Sequence, residues 1–195
     1  MTPPPKILIV DDEPTLRLGF SLALKTEHYE VTAAANGREA LDKVEKESFD
    51  VTVLDLRMPE LDGLATLSRL RQAGRDLPVI LCSAHINASN AMAALEQQCF
   101  DFLCKPVRPQ ELRQSVERVL SQEDGEPFSR MLALLRQQKY AEALAILDSL
   151  NREQSVSLRF WHEVVSDLAA GRPLETDHYV ESYGQDLVNL LTFED

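Results

Sequence analysis

Apolar residues in the first 120 positions alternate between two rhythms. Short apolar runs at 6–10, 30–34, 50–54, 78–82 and 101–104 read as strands. The β-branched stretch Val51–Leu54 suits a parallel strand buried on both faces. Helical spacing fills the gaps. Pro14 suits a first turn, followed by Leu16, Phe20, Leu22 and Leu24. Asn36-Gly37 opens a second helix with Ala40, Leu41 and Val44 on its apolar face. Gly63 opens a third with Leu64, Leu67 and Leu70. A fourth covers 86–98, and Pro109 opens a fifth with Leu112, Val116, Val119 and Leu120. Five strand–helix units of this size predict an α/β fold, a doubly wound parallel sheet with right-handed crossovers.

After Ser121-Gln122-Glu123-Asp124-Gly125-Glu126-Pro127, a polar stretch ending in turn formers, the pattern becomes purely helical. The expected organisation is an α/β domain over 1–121, a linker over 122–127 and a small all-α domain over 128–195. Helices are expected near 128–138, 140–150, 156–170 and 177–192. Lys139-Tyr140-Ala141-Glu142-Ala143-Leu144-Ala145-Ile146-Leu147 resembles one half of a tetratricopeptide-type hairpin. A single copy without a second at the expected period equally suits a plain amphipathic hairpin.

Composition narrows the partners. The chain has 20 basic and 32 acidic residues among 195, a net charge of -12, which disfavours nucleic acid and anionic membrane surfaces. Cys82, Cys99 and Cys104 fit no zinc spacing, and their odd number argues against a disulfide framework. They read as buried thiols in a reducing compartment. Met1–Lys6 lacks a charged segment followed by a long apolar core, and no run approaches the roughly 20 apolar residues of a membrane span. The expected location is cytoplasmic.

The chemistry gathers at strand ends, where function collects in open α/β sheets. Asp55 closes the run that begins at Phe49. Lys6–Val10 leads into Asp11-Asp12, and Phe100–Cys104 into Lys105-Pro106. Three carboxylates and a lysine thus converge on one edge, a cluster that repels itself unless a cation sits in it. Asp11-Asp12, Asp55-Leu56-Arg57-Met58-Pro59 with Asp62-Gly63, Ser83-Ala84, and Lys105-Pro106 together resemble the receiver domain of response regulators over residues 6 to about 120. The resemblance implies a flavodoxin-like sheet of strand order 2-1-3-4-5.

It also implies a phosphorylation switch. A carboxylate can attack a phosphoryl group and form an acyl phosphate, provided charge on the phosphoryl oxygens is neutralised. By resemblance Asp55 is the phosphoacceptor, supplied by a sensor histidine kinase or phosphotransfer protein. Mg²⁺ suits an all-oxygen site. It would be bound directly by Asp12 and Asp55, by Asp11 through water, and by the Arg57 backbone carbonyl. Lys105 would pair with the phosphoryl group, and Ser83 would donate its hydroxyl to it, helped by the Ala84 N–H. Phe102 matches the family's switch aromatic, with a plain core phenylalanine as the alternative. Arg57 and His85 occupy variable positions that tune water access to the acyl phosphate. The Lys105–Pro106 bond is cis in the family, a form that proline makes accessible.

The output end carries six basic and fourteen acidic residues over 121–195, a balance of −8, and no basic recognition helix. His162-Glu163 bears a faint likeness to a phosphotransfer histidine; an interfacial histidine beside Trp161 is the plainer reading. The fourth-helix segment Ile86–Leu95 has no Lys or Arg, and its small apolar face suits docking of another helix, the chain's own C-terminal part being one candidate. The leading reading is a switch, not a dedicated enzyme, whose helical output contacts an unidentified protein target and no nucleic acid. The alternative is a transcriptional regulator with a divergent DNA-binding tail. An aspartyl-phosphate phosphatase would need a second acid two residues after the nucleophile, where this chain has Arg57.

Overall fold

Strands and helices alternate through β1 (Lys6–Val10), α1 (Pro14–Leu24), β2 (Glu30–Ala34), α2 (Gly37–Lys46), β3 (Val51–Asp55), α3 (Gly63–Gln72), β4 (Val79–Ser83), α4 (Ala88–Glu96), β5 (Asp101–Cys104) and α5 (Pro109–Ser121). Three helices follow: α6 (Pro127–Arg136), α7 (Tyr140–Ser149) and α8 (Val156–Ala169). The computed structural model describes residues 3–25, 29–84, 88–121, 127–150 and 156–173. His85, most of the expected linker and the helix expected at 177–192 lie outside the described residues.

The strands form one five-stranded parallel sheet in the order β2-β1-β3-β4-β5. β3 and β4 start and end one residue later than the apolar runs suggest. Pro78 has no N–H to donate, so only its carbonyl joins the ladder, accepting from Thr52 N–H at 2.9 Å. At the other end the pairing runs on to Asp55 opposite Cys82. α4 is also shorter than 86–98, ending before Gln98, whose φ of 56 is left-handed.

Contacts divide the described residues into two compact units that do not follow the chain order. The first comprises Met1–Ser83, Gln97–Leu103 and Val107–Glu123. In it Ile7, Ile9, Val51, Val53, Ile80, Cys82 and Leu103 form one face of the sheet, covered by Phe20 and Leu24 of α1 and Leu112, Val116 and Val119 of α5. Strand side chains alternate between faces. The intervening Leu8, Val10 and Leu54 therefore face the layer where α2 and α3 bury Ala40, Val44, Leu67 and Leu70. Capping sets where these two helices start. Asn36 Oδ1 accepts from Glu39 N–H at 2.8 Å, and Asp62 Oδ1 from Ala65 N–H at 2.7 Å.

The second unit comprises Ala84–Glu96, Cys104–Pro106 and Asp124–Asp195. α4 thus groups with the C-terminal helices, across the boundary expected near 122–127. α6 packs on α7 and α7 on α8. Met131, Leu132, Leu135, Ala143, Leu147, Phe160, Trp161, Val164 and Val165 are buried. α6 ends with Gln138 at φ 57; Gln138 N–H bonds Leu135 O and Lys139 N–H bonds Leu134 O, the double bond pattern of a left-handed helix stop. α4 buries Ala91, Ala94 and Leu95 and packs on α6, and Arg136 Nε reaches the Leu95 carbonyl at 3.4 Å.

Candidate functional site

Strand register assembles the acidic cluster. Val10 lies opposite Leu54, so Asp11, one residue on, stands beside Asp55 on the neighbouring strand. On the other side Asp55 pairs with Cys82, Leu56 N–H bonds the Cys82 carbonyl at 2.8 Å, and Ser83 ends β4. Neighbouring strands lie about 4.8 Å apart. The sheet therefore holds the Asp11, Asp55 and Ser83 backbones in a row at its carboxyl edge. All three are buried, at 1%, 5% and 1% exposure, whereas Asp12 is exposed.

Backbone bonds fix this edge. Asp11 N–H bonds the Ala34 carbonyl at 3.2 Å, its Oδ1 accepts from Glu13 N–H at 2.9 Å, and its carbonyl accepts from Arg17 Nη1 at 2.5 Å. After Asp55 the chain turns through Arg57, exposed, and Met58, buried. Gly63 N–H returns to the Leu56 carbonyl at 2.8 Å. A Cβ at Gly63 would lie 2.4 Å from the Asp55 carbonyl oxygen and 2.8 Å from Leu56 Cα, so only glycine lets α3 begin this close to Asp55.

Of the other residues singled out from sequence, Phe102 is fully buried in β5. The Lys105–Pro106 peptide is cis. Ala84 and Lys105 belong to the second unit, Asp11, Asp12, Asp55, Arg57, Ser83 and Phe102 to the first. His162, on α8, meets Asp148 of α7, Nε2 to Oδ1 at 2.9 Å. All three cysteines are buried.

The donor set suits a hard cation, since Asp11, Asp12 and Asp55 offer only carboxylate oxygen. Among the described residues no group of three or more His, Cys, Asp or Glu is arranged to hold a metal by itself. A fit therefore needs a backbone carbonyl and water beside the carboxylates, which is how Mg²⁺ is usually held.

Sequence reasoning missed one buried polar cluster. Asp101, 1% exposed at the start of β5, accepts from Phe102 N–H at 2.7 Å, Ser115 Oγ at 2.5 Å and Arg118 Nη2 at 2.5 Å. The available signal was an acid opening a buried strand, with Ser115 and Arg118 three apart on one face of the next helix.

Residues 7–117, more than half of the chain, match the profile of the response regulator receiver domain. This chain belongs to the response regulator receiver family. It is 37% identical over 119 residues to the transcriptional regulatory protein GlrR of Escherichia coli, covering 61% of this chain and 27% of that protein. It is 38% identical over 133 residues to the response regulator MprA of Mycolicibacterium vanbaalenii, covering 68% of this chain and 51% of that protein. The chain thus spans between about a quarter and about half of the length of these relatives. Among solved structures it resembles the chemotaxis protein CheY4 of Vibrio cholerae, with TM-score 0.58 and 30% identity over 60% of this chain and 99% of that one. A Francisella response regulator receiver domain gives TM-score 0.57 and 32% identity over 60% and 97%. The receiver fold and two-component membership follow, and receivers partner with sensor histidine kinases. Among the described residues no helix is long and apolar enough to cross a membrane.

Proposed function

We propose that this receiver is a phosphorylation switch with Asp55 as phosphoacceptor. The observation that carries the reading is the register that sets Asp55 between Asp11 and Ser83 at the carboxyl edge. An Asp55 carboxylate oxygen attacks the phosphorus of a phosphohistidine. A P–O bond forms, the P–N bond breaks, and the imidazole leaves with the bonding pair and takes up a proton. Mg²⁺ would be held by Asp12, Asp55 and the Arg57 carbonyl, with Asp11 acting through water; when bound it supplies positive charge to the phosphoryl oxygens. Lys105 pairs with those oxygens, and Ser83 and the Ala84 N–H donate to one of them. Arg57 and His85 set the access of water. Phe102 turns with Ser83.

Leu18 and Leu22, one turn apart on α1, are 60% and 62% exposed, large apolar side chains left in solvent on the helix that follows Asp12. They support a docking surface for the histidine-bearing phosphodonor. For the output, the packing of α4 on α6 supports a receiver that acts on its own C-terminal helices, which then engage a protein target.

Intact mass after incubation with acetyl phosphate and Mg²⁺ tests the acceptor. The wild type should gain one phosphoryl group and Asp55→Asn none; equal labelling removes the assignment. Asp12→Ala should weaken Mg²⁺ binding about tenfold or more. Leu18→Glu should slow transfer from a phosphohistidine protein while leaving acetyl phosphate labelling intact. On beryllofluoride treatment, amide protection in α4 and in α6–α8 should change together. A second reading, transcriptional output, is favoured by the name of the relative GlrR and opposed by the −8 balance over 121–195. Nanomolar DNA binding at physiological salt would establish it.

A further inference from the structure

The turn between β2 and α2 touches both sides of the acidic edge. On one side the Ala34 carbonyl accepts the Asp11 N–H at 3.2 Å. On the other, Gly37 opens α2 against the segment that follows Asp55. A Cβ at Gly37 would lie 2.1 Å from Thr66 Oγ1, 3.0 Å from the Leu61 carbonyl and 3.1 Å from Leu61 Cδ2. These neighbours cannot give way cheaply. Thr66 is fully buried, and its hydroxyl is bonded to the Asp62 carbonyl at 2.8 Å. Leu61 is held by its own N–H to the Pro59 carbonyl at 2.8 Å.

Two side-chain hydrogen bonds tie the turn itself. Asn36 Oδ1 takes the Glu39 N–H at 2.8 Å, and Glu39 Oε2 takes the Ala35 N–H at 2.7 Å, so the helix start and the residue after β2 are tied to each other. Glu60, next to Leu61, sits at φ 65, a left-handed conformation that a side-chain-bearing residue keeps only when its surroundings enforce it. Glu60 lies in the segment bounded by the Gly37 approach to Leu61 and Thr66 and by the Gly63 N–H to Leu56 carbonyl bond.

We infer that the Ala34–Gly37 turn is a positioning bracket for phosphorylation, with Gly37 as its key residue. It fixes the height of Asp11 through the Ala34 carbonyl and the path of the segment after Asp55 through the close approach at Gly37. The inference rests on the phosphoacceptor reading, because that segment carries the Arg57 carbonyl assigned to the metal.

In the 195-residue chain, Gly37→Ala should bind Mg²⁺ at least about fivefold more weakly than the wild type. Labelling of Asp55 by acetyl phosphate should slow at low Mg²⁺ and recover at saturating Mg²⁺. Amide exchange, read on metal-free protein, should speed up at Leu61 and Gly63. Adding Thr66→Ala to Gly37→Ala, which vacates the nearest clash, should restore part of the affinity. Val119→Ala, in α5 on the other helical layer, is the control for plain loss of stability and should leave Mg²⁺ affinity and these amides unchanged. If Gly37→Ala does not fold, Asn36→Ala disturbs the same turn by removing one cap. Wild-type affinity and protection in the folded turn variant would overturn the bracket, as would equal losses in Val119→Ala. Failure of wild type to take up a phosphoryl group would instead refute the acceptor reading, while the metal-free exchange comparison still decides the bracket.

Discussion

Arg118→Met should destabilise the receiver by about 3 kcal/mol, and the magnitude follows from how Asp101 is held. Its carboxylate is 1% exposed and takes three donors, from Phe102, Ser115 and Arg118. Two neutral donors survive the substitution, so hydrogen bonding is largely met while the charge loses its counter-ion. Removing one partner of a buried ion pair costs about 3–5 kcal/mol. The Arg118 side chain is 28% exposed, so water reaches the vacated end and screens part of the charge, which selects the lower bound. Methionine keeps most of the aliphatic packing, isolating the electrostatic loss. A double variant, Asp101→Leu with Arg118→Met, removes both charges. It should recover part of the loss, the remainder being about 1–3 kcal/mol for the fully buried Ser115 hydroxyl, which also loses the Asp101 carboxylate as acceptor. Amide exchange of α5 at neutral pH reads the free energy in the first unit, where this cluster lies; Trp161 belongs to the second unit, and its fluorescence is the wrong probe. A loss below about 0.5 kcal/mol in Arg118→Met would show that the arginine does not compensate the buried charge.

Ser83→Ala and Lys105→Ala should still permit some labelling of Asp55 while blunting the NMR shifts that beryllofluoride induces in β4 and β5; a full wild-type shift pattern in both would refute the switch. Thr52 Oγ1 is buried in β3 without a hydrogen-bond partner, so Thr52→Val should stabilise by about 1–2 kcal/mol in urea unfolding, and a comparable loss would contradict it. Burial, and then the charge of Glu117, raise the Tyr29 pKa above its ordinary 10.0. A raised folded-state value favours the protonated ring, so that stability is complete below pH 10 and is lost as pH rises through the folded value. Tyr29→Phe should flatten this alkaline slope in unfolding curves; an unchanged slope would assign it elsewhere.

The sheet was legible because runs of four or five mostly apolar residues alternate with segments of helical spacing. The same property exposed Asp11, Asp12 and Asp55, which end such runs. One-residue offsets at β3 and β4 arose because hydropathy stops at the last apolar side chain, whereas the ladder counts backbone donors: it passes over Pro78 and includes Asp55. Gln98 ended α4 without a glycine to announce it. Asp101 with Ser115 and Arg118, and Gly37 with Thr66, escaped notice for a different reason. Each set meets only once its two elements have packed, β5 with α5 and α2 with α3, and the spacing within a single element does not report such a meeting.

The packing of α4 on α6 bears on how such proteins can be recombined. A tail joined to a receiver by a free tether can be exchanged for another through a single crossover after α5. Here the fourth helix lends Ala91, Ala94 and Leu95 to the same unit as Met131, Leu132 and Leu135, and its last turn offers a carbonyl to Arg136. A chain cut after α5 uncovers that helix, and a foreign tail grafted there inherits a surface shaped for α6. Domain shuffling at this junction should therefore cost stability, and the fourth helix and the tail should drift as one inherited block, with compensating changes between positions 91–95 and 131–136.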